Sequence, residues 1–165
     1  MATDDVSVDR LRELFSYDAE TGIFVRRVAR AWLKAGARGG TLGKNGYYYI
    51  TIDNRAYLAH RLAWLYVHGS HPAQHIDHIN GDTTDNRIAN LRDVSRSVNL
   101  QNLRGATISS STGTLGVSRD KRCGSYRAYI VVNRKQISLG YFRSHAEAAA
   151  AYLSAKRKLH PGCTI

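Results

Sequence analysis

The chain has 165 residues, enough for one ordinary domain or two small ones. Its 24 lysine and arginine residues outnumber 13 acidic residues, and the formal net charge of +11 indicates a polyanionic partner. No stretch approaches the roughly 20 consecutive apolar residues of a membrane span, and the N-terminal sequence MATDDVSVDRLREL resembles no secretory or transit signal. We therefore expect a cytoplasmic protein without a membrane partner.

The first seventy residues predict helices and strands separated by turns. Apolar residues at helical spacing predict a helix over residues 8–17, and the Thr21-Gly22 pair predicts a turn before a strand. A second strand is predicted over residues 47–52, between turns at Asn45-Gly46 and Asp53-Asn54. An amphipathic helix over residues 56–68, ending at Gly69, completes this part.

Residues 75–102, HIDHINGDTTDNRIANLRDVSRSVNLQN, are too polar to form a core. Alternation predicts a strand over residues 75–79, in which His75 and Asp77 face one way and His78 the other. Residues 80–82 break the strand, residues 83–89 form a polar loop, and residues 90–94 return as a second strand. Ser95 is a suitable N-cap for a helix, so the order is strand, loop, strand, helix.

The chemistry of this segment suits phosphodiester hydrolysis. Histidine, with an ordinary pKa of about 6.5, accepts a proton from water near neutral pH. Aspartate and asparagine offer only oxygen, which suits Mg²⁺ or Mn²⁺ better than zinc. Two cysteines 40 residues apart, without a CxxC pair, argue against a disulfide framework or a structural zinc site.

The segment resembles the HNH endonucleases of phages and of intron-encoded homing elements, in which a ββα unit holds one divalent metal. By this resemblance His78 is the general base and Asp77 a metal ligand. Asn90 braces the loop, and Asn99 is the second metal ligand where many members have histidine, which makes the motif an H-N-N variant.

Other polar residues of the region receive weaker assignments. His75 and Asn102 are candidate supports of the active site, although an exposed or structural role is the simpler interpretation for His75. His60, within the predicted helix, is expected to be packed or hydrogen-bonded. Turn or surface roles are expected for Asn80, Asn86, Asp82 and Asp85, and such a role is the simpler interpretation for Asn102 as well.

A domain boundary is predicted in the uncharged sequence GATISSSTGTL, residues 105–115, which has the composition of a flexible linker. Residues 1–104 carry 14 basic and 11 acidic side chains, whereas residues 116–165 carry 10 basic and 2 acidic. This asymmetry predicts that the C-terminal segment grips the polyanion.

The C-terminal segment predicts a three-stranded sheet with one helix across its back. Strands are expected around Val117 and over residues 126–132 and 136–142, followed by a helix that begins with a Ser144–Glu147 capping box. The alternation places Arg127 and Tyr129 on the face opposite the helix.

This segment, from about residue 115 to residue 160, resembles the apetala/ethylene-response-factor DNA-binding domain, in which the sheet enters the major groove. The tryptophans of well-known plant members are absent, and Ser138 stands at one of those positions. The resemblance implies six DNA-binding residues: Arg119, Lys121, Arg127, Tyr129, Gln136 and Ser138.

Together these observations predict an α+β protein. Residues 1–104 form an HNH nuclease domain with a ββα-metal core at about residues 75–104, and residues 116–165 form a DNA-binding sheet packed on one helix. We expect a metal-dependent DNA endonuclease of homing or phage type, acting in the host cytoplasm if phage-encoded. It binds one divalent ion, Mg²⁺ or else Mn²⁺, and double-stranded DNA, and needs no small-molecule cofactor.

One active site per chain predicts nicking by a monomer, and cutting both strands requires a dimer or two binding events. The alternatives are a non-catalytic DNA-binding regulator with a degenerate nuclease unit, and a nuclease or binding protein directed at RNA, because charge alone does not separate the two polymers.

Overall fold

The computed structural model of the protein describes residues 5–31, 33–106 and 110–165. The chain is mixed α and β and divides into two compact units, one reaching to Val94 and the other running from Ser95 to Ile165. No helix in the described ranges combines the length and the apolar sequence needed to cross a bilayer.

The first unit alternates short strands and helices: α1 (Val8–Leu14), β1 (Phe15–Asp18), β2 (Ile23–Arg26), β3 (Thr41–Leu42), β4 (Tyr48–Ile52), β5 (Arg55–Leu58), α2 (Ala59–His68), β6 (His75–His78) and β7 (Leu91–Val94). β1 and β2 form an antiparallel hairpin, β3, β4 and β5 form an antiparallel sheet, and β6 pairs with β7. A single 3-10 turn, Ile88–Asn90, precedes β7.

The core of this unit lies between the two helices and the hairpins. Leu11 of α1, Phe15 and Phe24 of the first hairpin, Ile50 of β4 and Leu62 of α2 are almost fully buried in one cluster. Because β6 contributes Ile76 and β7 contributes Leu91 to the same cluster, the β6–β7 hairpin is fixed on the core.

Two predicted helix boundaries were wrong. The helix predicted over residues 8–17 ends at Leu14, because Phe15 and Tyr17 pair with Arg26 and Phe24 across the first hairpin. The helix predicted from residue 56 begins at Ala59, because residues 55–58 pair with β4. In both places strand pairing overrides an apolar spacing that also fits a helix.

The second unit contains α3 (Arg96–Gln101), β8 (Val117–Arg119), β9 (Tyr126–Val132), β10 (Lys135–Phe142) and α4 (His145–Leu159). The three strands form an antiparallel sheet in the order β10-β9-β8. Ala128 and Ile130 of β9 are buried in a cluster with Ala148 and Tyr152 of α4, as the predicted alternation requires. The Ser144–Glu147 capping box is present at the start of α4.

α3 belongs to the second unit because it is tied to the C-terminal residues. The Gly162 amide donates to Gln101 Oε1 at 3.0 Å, and Thr164 Oγ1 donates to Asn102 Oδ1. The buried Lys156 ammonium donates to the Leu103 carbonyl. The division therefore falls before α3, whereas the sequence predicts it after this helix.

The predicted flexible linker is only partly described, since residues 107–109 lie outside the described residues. Residues 110–115 are attached to the second unit: Thr112 Oγ1 donates to the Val117 carbonyl at 2.8 Å, and Thr114 Oγ1 lies 2.9 Å from His145 Nε2. This differs from the expected connector, because these hydroxyls bond to the fold instead of to solvent.

Candidate active site

The β6–β7 hairpin carries the adjacent pair Asp77 and His78 on the core of the first unit. Asp77 lies opposite Arg92, and His78 lies opposite Leu91. Both residues of the pair are buried, with exposed fractions of 6% for Asp77 and 4% for His78. The two side chains leave opposite faces of the strand, so both faces of the hairpin are covered at this point.

His78 is held by an amide and two aromatic rings. Its Nε2 lies 3.2 Å from Oδ1 of Asn86. Because an amide oxygen only accepts hydrogen bonds, a hydrogen bond at this contact requires the neutral imidazole to carry its proton on Nε2, with the acceptor lone pair on Nδ1. The His60 ring meets the His78 ring edge-on at 5.0 Å, and the Tyr47 ring lies 6.0 Å away.

His60 is a packed residue, as expected from its place in α2. It is 6% exposed and packs against both Tyr47 and His78. Burial, followed by the charge of His78, lowers the pKa of His60 to about 3. His60 is therefore neutral at physiological pH and adds no positive charge beside His78.

Asp77 forms an ion pair with the strand opposite. Arg92 donates from Nε and from Nη2 to Oδ2 of Asp77, at 2.9 and 2.7 Å. The pair is largely buried, with 8% of the Asp77 side chain and 25% of the Arg92 side chain exposed. The guanidinium thus compensates a carboxylate that would be costly to bury alone.

A divalent ion fits the donor chemistry at Asp77, because carboxylate oxygen is a preferred ligand of Mg²⁺ and Mn²⁺. Within the described ranges, no group of three or more His, Cys, Asp or Glu side chains could enclose a metal. An ion at Asp77 would therefore depend on amide oxygen, water and phosphate for most of its ligands, as Mg²⁺ commonly does.

Asn90 braces the loop between the two strands. Its Oδ1 accepts from the Asn80 amide at 2.9 Å, and its Nδ2 donates to the Asp85 carbonyl at 2.8 Å. Its own carbonyl accepts from the Ile79 amide. The Asn90 side chain therefore joins the start and the middle of the loop to its end, and its catalytic role stays a prediction.

Ionic and turn contacts stiffen the same loop. Asp85 accepts from Nε and Nη2 of Arg87 at 2.8 and 2.6 Å and from Asn80 Nδ2 at 2.8 Å. Arg87 is the main cause that lowers the pKa of Asp85 to about 2. Asp82 accepts from the Thr84 amide at 2.9 Å, so Asp82 and Asp85 are loop residues, as expected.

The first hairpin and the β3–β4 turn support the loop from outside. Tyr17 donates from its hydroxyl to the Asn86 carbonyl at 2.7 Å, and Thr83 Oγ1 donates to the Gly46 carbonyl at 2.8 Å. Gly22 has a φ of +71°, and a Cβ there would collide with the backbone of Asn86 and Arg87. Only glycine allows the hairpin to approach the loop this closely.

Asn86 is the residue that the sequence interpretation missed. A turn or surface role was expected, but Asn86 is 3% exposed and contacts His78. The sequence carries no signal that separates Asn86 from Asn80, since both lie in a polar loop and only the approach of the first hairpin buries one of them.

The remaining predicted site residues are spread over both units. His75 is exposed at the start of β6. Asn99 lies on α3 in the second unit and is half-buried, so its metal role stays a prediction. Asn102 caps α3 and is 4% exposed, so the expected turn or surface placement was wrong with respect to exposure.

Four of the six predicted DNA-binding residues share the outer face of the C-terminal sheet. Tyr129 lies opposite Ser138, and Gln136 lies opposite Val131, which alternation places on the same face as Arg127. The Arg127 guanidinium lies 5.9 Å from the Tyr129 ring centre, and its Nε has no hydrogen-bond partner within the described part of the chain.

The other two residues lie apart from this face. Arg119 lies opposite Tyr126, which alternation assigns to the helix side, and it is exposed at the end of β8. Lys121 is exposed in the turn that follows. They extend the basic surface beyond the edge of the sheet.

Comparison with known proteins found a match for one part of the chain. A family model described as HNH endonuclease matches residues 57–101, little more than a quarter of the sequence. The matched segment runs from β5 to the last residue of α3 and contains Asp77, His78, Asn90 and Asn99. No curated protein and no solved structure matched the chain.

Proposed function

We propose that the protein is a metal-dependent DNA endonuclease of the HNH type. The observation that carries the proposal is the environment of His78 within the matched segment. His78 is buried beside Asp77, and its Nε2 is held by an amide oxygen, so its Nδ1 is the nitrogen that accepts a proton.

In this proposal His78 takes the proton of the attacking water at Nδ1. Asp77, oriented by Arg92, would hold a divalent ion, and the resemblance assigns Asn99 as a second oxygen donor. A bound divalent ion supplies positive charge that stabilises the phosphate and the leaving oxygen. Asn90 keeps the loop closed under His78 through its bonds to Asn80 and Asp85.

The charge distribution supports a nucleic-acid substrate, and the resemblance of the C-terminal segment to a DNA-binding domain favours duplex DNA. Residues 95–165 carry 12 basic and 2 acidic side chains, whereas residues 1–94 carry 12 and 11. The outer sheet face of Arg127, Tyr129, Gln136 and Ser138, with Arg119 and Lys121, is proposed to bind the DNA. A phage or homing role and nicking by a monomer belong to the same proposal.

Supercoiled plasmid incubated with Mg²⁺, with Mn²⁺ or with EDTA tests this function. We expect wild-type protein to convert supercoiled to nicked plasmid with either metal, and His78→Ala to lose cleavage while its DNA affinity stays within about twofold. His68→Ala is the matched control, since His68 is an exposed histidine at the end of α2. Equal cleavage by His78→Ala would remove His78 from the role of base.

The Asp77–Arg92 ion pair favours one alternative, a DNA-binding protein without catalysis. A carboxylate already neutralised by arginine has less need of a metal. Supercoils that persist with both metals, on plasmid that contains the bound sequence, would support this alternative. Competition between duplex DNA and structured RNA of equal length decides between the two polymers.

A further inference from the structure

We propose that Asn86 is a positioning residue that fixes the tautomer and the ring orientation of His78, and that the β1–β2 hairpin holds Asn86 in place. The inference rests on the proposed function in that Nδ1 of His78 is the atom that receives the proton. The family match assigns no residue roles, and the sequence predicts only a turn or surface role for Asn86.

The contact to His78 is specific in its chemistry. Asn86 is 3% exposed, and its Oδ1 lies 3.2 Å from Nε2 of His78 in a buried setting. The amide oxygen accepts and cannot donate, so the bond forms only while Nε2 carries the proton. The contact therefore stabilises the tautomer whose Nδ1 can act as a base, and disfavours the tautomer that carries the proton on Nδ1.

The position of Asn86 is set by three contacts to main-chain atoms. The Tyr17 hydroxyl donates to the Asn86 carbonyl, and Gly22 lies against the Asn86–Arg87 peptide. The preceding residue, Asp85, is held at its carbonyl by Asn90 Nδ2. The side chain of Asn86 therefore starts from a fixed backbone, and replacing that side chain leaves all three contacts in place.

Two neighbouring rings pack against the ring of His78. His60 packs edge-on against it with an interplanar angle of 82°, and Tyr47 lies on the same side as His60, with rings 5.3 Å apart. Loss of the Asn86 oxygen is thus expected to change where the proton sits more than where the ring lies.

Nitrogen NMR of the full-length protein measures the tautomer directly. With ¹⁵N-labelled histidine at pH 9, well above the ordinary pKa of about 6.5, all seven histidines can be compared, and the His78 signals are those missing from His78→Ala. We expect the Nε2–H form alone in the wild type, a mixture of both tautomers in Asn86→Ala, and the Nε2–H form again in Asn86→Asp, which keeps an acceptor oxygen of the same shape.

Asn80→Ala is the matched control. It removes an asparagine from the same loop, together with its bond to Asp85, but it does not touch His78. The wild-type tautomer should persist in this variant. A shift in Asn80→Ala as large as that in Asn86→Ala would show a general loosening of the loop and overturn the proposal.

Two further results would also overturn the proposal. One is an Nδ1–H tautomer in the wild-type protein, a measurement that needs no variant. The other is a folded Asn86→Ala variant whose His78 nitrogen signals are those of the wild type. If the nuclease is active, kcat of Asn86→Ala should fall about tenfold to a hundredfold, the loss that is typical when a group orienting a functional side chain is removed, with DNA affinity unchanged. The NMR result needs no cleavage, so an inactive protein with the expected tautomers would contradict the proposed function alone.

Discussion

At the scale of single residues, the loop between β6 and β7 is ordered by short polar side chains with distinct partners. Asn90 binds main-chain atoms at the start and in the middle of the loop, Asn86 binds His78, and Asn80 binds Asp85. The same residue type therefore serves as brace, positioning group and surface turn. The burial of each asparagine and the group it bonds to decide which role it has. Neither can be read from the local sequence.

Asp85 predicts a pH dependence of this loop. Arg87 lowers the pKa of Asp85 to about 2, below its usual 3.8, so the ionised carboxylate stabilises the fold above about pH 4 and this contribution is lost as the pH falls toward 2. Urea unfolding should therefore show Asp85→Asn less stable than wild type at pH 7, with the difference shrinking between pH 4 and 2.

The same urea-unfolding measurements in an Arg87→Gln background test whether Arg87 causes the stabilisation by the Asp85 carboxylate. Because this variant lacks the main partner of Asp85, adding Asp85→Asn to it should change the free energy of unfolding much less than in the wild type. A difference between wild type and Asp85→Asn that stays constant down to pH 2 would contradict the assignment.

At the scale of elements, the β1–β2 hairpin acts as a support of the candidate site. Phe15 and Phe24 are buried in the core. Tyr17 and Gly22 contact the loop that carries Asn86, Tyr17 through a hydrogen bond and Gly22 through close backbone packing. Local spacing predicted helix for part of β1. The hairpin forms because pairing with β2 places Phe15 and Tyr17 on the core side, which the short helix could not do for both.

Tyr17→Phe measures this support. The substitution leaves the half-buried Asn86 carbonyl without its donor, and we expect a loss of about 1–3 kcal/mol in the free energy of unfolding. Tyr49→Phe is the control, because the Tyr49 hydroxyl only meets an exposed partner, Asn45, and should cost less. Equal losses in urea unfolding would mean that the hairpin contact is no stronger than a surface bond.

The N-cap of α4 allows a second test at this scale. The Ser144 hydroxyl accepts a hydrogen bond from the Glu147 amide, and the Glu147 carboxylate accepts one from the Ser144 amide. Ser144→Ala should lower stability by about 0.5–2 kcal/mol, as the loss of a cap does. Thermal unfolding of the full chain gives this value, and an unchanged midpoint would show that packing alone holds the helix.

At the scale of the whole molecule, the change from balanced to strongly basic sequence coincides with the boundary between the two compact units better than with the predicted linker. α3 carries Arg96 and is followed by Arg104, and both belong to the unit that begins at Ser95. Truncation after residue 115 would remove the Gly162 and Thr164 contacts of this helix segment. Point variants in the full chain are therefore the cleaner test of DNA binding.

Lys121→Gln with Arg127→Gln tests the proposed DNA-binding surface, which consists of the outer sheet face and the turn after β8. Each lost phosphate contact should reduce the slope of log affinity against log salt by about 0.9. Arg157→Gln with Lys158→Gln removes the same charge from the last turn of α4, and should leave the slope closer to that of the wild type. Identical slopes for both double variants would mean that net charge, and not this surface, determines DNA binding.

The sequence by itself determined the strands around Asp77 and His78, the Ser95 N-cap, the capping box of α4 and the alternation of β9, because each follows from nearest neighbours along the chain. Only the tertiary structure decided that Arg92 pairs with Asp77, that Asn86 contacts His78, and that α3 joins the C-terminal unit. These contacts depend on which surfaces meet after the core has formed, and burial then gives ordinary asparagine and tyrosine side chains partners that no local pattern specifies.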